Sequence, residues 1–65
     1  MIDNVVWKRA IEYVRNTGGN CTVEIFDDDN SPIGFQLRRD IMPKYVVEQP
    51  NGKLTLTDAG REAIL

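Results

Sequence analysis

Histidine is absent from this 65-residue chain, and cysteine occurs once, at Cys21. Zinc sites of the usual Cys and His kinds therefore cannot be built within one chain, and neither can Ser-His-Asp triads or Cys-His pairs. A single thiol forms no intramolecular disulfide, so the staples of small secreted domains are missing. Cys21 reads instead as a small buried or half-buried apolar residue. No apolar run approaches the ~20 residues that a membrane span needs. The opening Met1-Ile2-Asp3-Asn4 has an acid and no following apolar run, unlike an export signal. The expectation is a cytoplasmic protein with no cofactor, no metal and no membrane contact.

With 42% hydrophobic and 28% charged residues, the composition is that of one folded soluble domain over residues 1–65 rather than a disordered segment. A chain of this length buries only roughly 60% of the surface it exposes when unfolded, so the core is small. The net charge is −2 and the isoelectric point about 4.9, which argues against a surface that grips nucleic acid everywhere. Charge is nevertheless uneven. Lys8, Arg9 and Arg15 against Glu12 give residues 5–16 a local +2, and Arg38, Arg39 and Lys44 against Asp40 do the same for residues 31–45. Between them lie Glu24, Asp27, Asp28 and Asp29.

The stretch Lys44 to Ile64 carries the strongest local signals. Tyr45-Val46-Val47 and Leu54-Thr55-Leu56-Thr57 read as two short strands. Between them, Pro50 presets φ for the second turn position, Asn51 tolerates the third, and Gly52 accepts positive φ at the exit. Thr57 then caps a short last helix with Asp58 in its first turn and Ala59, Ala63, Ile64 and Leu65 on its apolar side. At the other end, residues 3–16 have helical periodicity. Ile2, Val6, Trp7, Ala10, Ile11, Tyr13 and Val14 share one half of the wheel, with Lys8, Arg9, Glu12 and Arg15 opposite. Asp3 is placed as the N-cap, Ile2 and Trp7 as a hydrophobic staple, and Gly18 or Gly19 as the left-handed stop.

The middle supports two readings. In one, Thr22 caps a short helix through Asp29, and Ser31 caps a second with Pro32 at its first position. Ile33, Leu37 and Ile41 then form its buried face, Phe35 and Met42 point outward, and Pro43 ends it. In the other, Thr22–Phe26 and Gly34–Arg38 are strands about an acidic turn, favoured by the poor fit of three aspartates to the negative end of a helix dipole. A calcium loop starting at Asp27 is excluded. Pro32 stands where the turn glycine belongs, and Arg38 where the bidentate acid belongs.

The run Leu56-Thr57-Asp58-Ala59-Gly60-Arg61 resembles the L-T-x-x-G-[KR] ending of winged helix-turn-helix domains in small bacterial or phage regulators. The resemblance implies an α+β winged helix: a small helical core, a C-terminal β-hairpin wing and a short last helix. Two β-hairpins flanked by helices are the alternative fold. It further implies duplex DNA as partner, in a transcriptional regulator acting as a homodimer, with the helix from Ser31 to Met42 as the recognition helix. Gln36 would read a base edge, Arg38 and Arg39 would contact guanine or phosphate, Ser31 would donate to a phosphate, and Asn51 and Lys53 would touch DNA from the wing. Each has a plainer role beside it, such as Ser31 as a cap and the arginines paired with Asp40 or the acidic loop. A winged-helix-like protein-interaction module without DNA contact is the alternative function. An enzyme is not expected, because Asp27, Asp28 and Asp29 are too close in sequence to act as an opposed acid and base.

Overall fold

The computed structural model describes residues 4–65. Among these residues the chain forms a small α+β domain of four helices and one two-stranded antiparallel sheet. The order is α1 (Val5–Asn16), α2 (Val23–Asp29), α3 (Gly34–Ile41), β1 (Val46–Glu48), β2 (Leu54–Leu56) and α4 (Asp58–Ala63). Asp3 and Ile2, expected as cap and staple, lie outside the described residues. The observed cap of α1 is Asn4, whose Oδ1 accepts from the Trp7 amide at 3.1 Å. Thr17 follows the helix, and Gly18 and Gly19 turn the chain with φ of 64° and 89°.

Val23–Asp29 and Gly34–Ile41 are helices joined by a turn, so the second hairpin is excluded. Thr22 caps α2 as expected, its hydroxyl accepting from Ile25. The three aspartates at the end of α2 persist because tertiary partners offset the dipole. Asp27 is bound by Arg38, and Asp29 accepts a hydrogen bond from the Tyr13 hydroxyl of α1. Asn30 closes the helix by donating to the Phe26 carbonyl at 2.8 Å.

The start of α3 differs from expectation. The helix opens at Gly34, with Ile33 as an N-cap that makes no side-chain bond, so Ser31 caps nothing and Pro32 lies in the connecting turn. The cause is a close approach between α2 and α3: a β-carbon added at Gly34 would stand 2.5 Å from the Asp27 carbonyl oxygen. Packing fixes α3 at the residue without a side chain and overrides the Ser-Pro opening signal. Two further expectations are corrected. Ile33 is 46% exposed, outside the face that Leu37 and Ile41 bury, and Met42 packs against the core instead of pointing outward. Phe35 does point outward, at 57% exposure. Val6, expected on the apolar half of α1, is 48% exposed.

The hairpin matches its sequence signals. Val46 pairs with Leu56, Val47 with Thr55 and Glu48 with Leu54. The Gly52 amide donates to the Gln49 carbonyl at 2.8 Å to close the turn, and Gly52 has φ 84°. On the far side of β2, Thr22 bridges Lys53 in antiparallel fashion, and the Leu54 amide donates to the Cys21 carbonyl at 2.7 Å. The segment between α1 and α2 thus adds a third, one-residue arm to the sheet. The core beneath it comprises Ala10, Ile11 and Val14 of α1, Cys21, Phe26, Leu37, Ile41, Val46, Leu54, Ala63 and Ile64. Phe26 is fully buried and meets Tyr13 edge to face at 5.9 Å between centroids. Full burial of such a side chain contributes about 1.5–3 kcal/mol. Cys21 is fully buried, and burial, helped by Asp29 and Asp27, pushes its thiol pKa up, so it is an inert core residue.

The Leu56 to Arg61 run is a joint. The Thr57 hydroxyl accepts from the Gly60 amide and donates to the Lys44 carbonyl, while the Thr57 amide donates to the Tyr45 carbonyl at 3.0 Å. A β-carbon at Gly60 would collide with that same Tyr45 carbonyl. Arg61 donates to the Leu56 carbonyl and pairs with Asp58. The threonine and glycine of the motif are thereby explained by how α4 docks on the start of the hairpin.

Candidate interaction surface

The six residues expected to contact DNA fall into four settings. Arg38 is committed within the fold: its Nε and Nη2 donate to the two carboxylate oxygens of Asp27 at 2.9 and 3.0 Å. Those hydrogen bonds raise its pKa above the ordinary value, against the opposing effect of burial. Ser31 is exposed, but it stands before the helix rather than at its start, in a depression shared with Glu24, Asp27 and Asp28. A phosphate there would meet carboxylates. Gln36 and Arg39 are exposed on α3, and the Arg39 guanidinium lies over the Phe35 ring at 5.7 Å, with that of Arg38 at 5.2 Å. Asn51 and Lys53 occupy the hairpin turn, where Asn51 Oδ1 accepts from the Lys53 amide at 2.9 Å. Neither Arg39 nor Lys53 forms an ion pair among the described residues.

Sequence reasoning missed a groove between α1 and α3, which pack on each other. Two adjoining depressions, which share Val6, Ile33 and Leu37 in their lining, make up this trough. One end is completed by Arg9, Ala10 and Pro32, and the other by Asn4, Trp7, Gln36 and Asp40. The two helices therefore run in opposite directions along it, with Arg9 at one end and Asp40 at the other. Val6 and Ile33 expose almost half their surface at its centre. Single exposed apolar residues are ordinary on protein surfaces; two facing each other across a trough are not. Periodicity could mark both residues as apolar, but it could not reveal that nothing in residues 4–65 covers them.

Of the three aspartates, Asp27 and Asp28 line one depression, with Asp27 bound by Arg38, while Asp29 turns to Tyr13. No helix of the described residues is long and apolar enough to cross a membrane. This chain matches no protein-family model, no curated protein and no solved structure.

Proposed function

We propose that this chain is a protein-interaction module on a winged-helix-like scaffold, with the α1/α3 groove as its contact surface. The scaffold reading is supported by the element order, with the Thr22 arm before α2 and the hairpin after α3, as in winged helices. The observation that carries the function is the exposure of Val6 and Ile33 opposite one another in that groove. Burying apolar surface is the dominant favourable term in most protein associations.

The second reading, duplex DNA binding through α3 and the hairpin, is favoured by Arg39 stacked on Phe35 and by Lys53 at the turn. Magnitude decides against placing it first. Each neutralised phosphate adds about −0.9 to the salt slope of binding. With Arg38 held by Asp27 and Ser31 beside carboxylates, the six candidates leave two cations, for a slope of about −2 and weak affinity. Titration of the labelled protein with a short duplex at low salt tests the choice. No saturable shift at the Gln36, Arg39 and Lys53 amides is expected. Saturable shifts there that vanish as salt rises would transfer the function to DNA.

A further inference from the structure

We infer that the occupant of the α1/α3 groove is the same groove of a second copy of this chain. The inference rests on the reading of that groove as a protein contact surface and names its partner.

An isologous dimer requires a patch that is complementary to itself after a half-turn. The patch meets this condition in its charges. Its centre is apolar, with Val6 and Ile33 exposed. Its α1 end carries the cation Arg9, and its α3 end carries the acid Asp40. Neither residue forms an ion pair among the described residues. A two-fold axis through the Val6–Ile33 centre exchanges the ends, setting each Arg9 against the partner's Asp40 while the apolar centres cover each other. An unrelated helix could fill the same trough, but only a second copy meets both charges with their opposites by symmetry alone. Other exposed apolar residues carry no such argument: Ile25 lines an acidic depression, and Phe35 is already covered in part by two guanidinium groups.

Sedimentation equilibrium on the full chain tests the proposal through charge reversal. The wild type is expected to dimerise. Arg9→Asp and Asp40→Arg each replace two attractive contacts by two repulsive ones and should weaken dimerisation by about tenfold. The double variant restores opposite pairs and should recover most of the loss. Because both sites are exposed, the variants should remain folded, with thermal unfolding as the check. Ile33→Asp, also exposed, should abolish the dimer independently of the charges. A wild type still monomeric at roughly 1 mM, or a double variant as weak as the singles, would overturn self-pairing. A monomeric wild type that binds a different protein, with Ile33→Asp abolishing that binding, would overturn the second copy as occupant but leave the groove as a contact surface. A monomer for which Ile33→Asp alters no association would remove both.

Discussion

Arg38 clasps Asp27 across the α2–α3 angle with two parallel hydrogen bonds, from residues eleven positions apart in the chain. The pair is only partly shielded, with side-chain exposures of 20% and 30%, so its worth lies between that of an exposed bridge and that of a buried one. It holds the acidic end of α2 against α3 at the point where Gly34 allows contact. Arg38→Ala should destabilise the fold by about 1–2 kcal/mol in urea unfolding. A double-mutant cycle with Asp27→Ala should return a favourable coupling of about 1 kcal/mol. Arg38→Lys should recover little, since a single ammonium does not reproduce the fork. Zero coupling would mean that the pair holds nothing.

Gly60 should tolerate no side chain. The Tyr45 carbonyl stands where its β-carbon would be, and the obstacle is backbone, tied down by the Thr57 amide. Gly60→Ala is therefore expected to cost about 1–3 kcal/mol, although alanine is the better helix former by about 1 kcal/mol. Gly34→Ala, facing the Asp27 backbone, should behave alike. A neutral or stabilising result at either site would place the neighbouring element elsewhere.

Alkaline pH should weaken the packing of α1 on α2 through Tyr13. Its hydrogen bond to Asp29, then burial, then the Asp29 and Cys21 charges, push its pKa from 10.0 up to about 12. A phenol whose folded pKa exceeds its unfolded one contributes stability that is fully present below pH 10, and that is lost as pH rises from about 10 through about 12. Absorbance titration of the phenolate should show one tyrosine ionising near 12. Asp29→Ala should bring that transition down toward 10, and Tyr13→Phe should remove it. A Tyr13 that titrates near 10 in the folded wild type would contradict the bond to Asp29.

The hairpin should depend on Gly52, whose φ of 84° is reached readily by glycine and at a cost by other residues. Gly52→Ala should lose about 1 kcal/mol in stability, and Gly52→Asn less, because asparagine tolerates the left-handed region. Equal losses for the two would indicate that something other than backbone conformation is at stake, since no atom lies within 4 Å of the added carbon.

Local chemistry accounts for what the sequence discloses. The Pro50-Asn51-Gly52 turn and the Thr22 and Thr57 caps each depend on residues close in the chain. The start of α3 did not follow its local signal, because Gly34 answers to Asp27 on another helix and that contact outweighs the Ser31-Pro32 opening. Local sequence narrows the partner of Arg38 only to Asp40 or the acidic loop, since choosing Asp27 requires the angle between α2 and α3. Val6 and Ile33 carry the pattern of buried residues, because an apolar stripe shows which face seeks cover without showing whether the fold supplies it. The candidate surface therefore emerged only from the packed helices, while the hairpin was legible from the start.

The most direct measurement of the central claim follows methyl shifts of Val6 and Ile33 together with the Arg39 and Lys53 amides, through a dilution series and then a duplex DNA titration at low salt. The account predicts that the two methyl groups move with protein concentration and that the Arg39 and Lys53 amides stay still when DNA is added. Concentration-independent methyls with saturable, salt-sensitive movement of Arg39 and Lys53 would contradict it and place the working surface on the other side of α3.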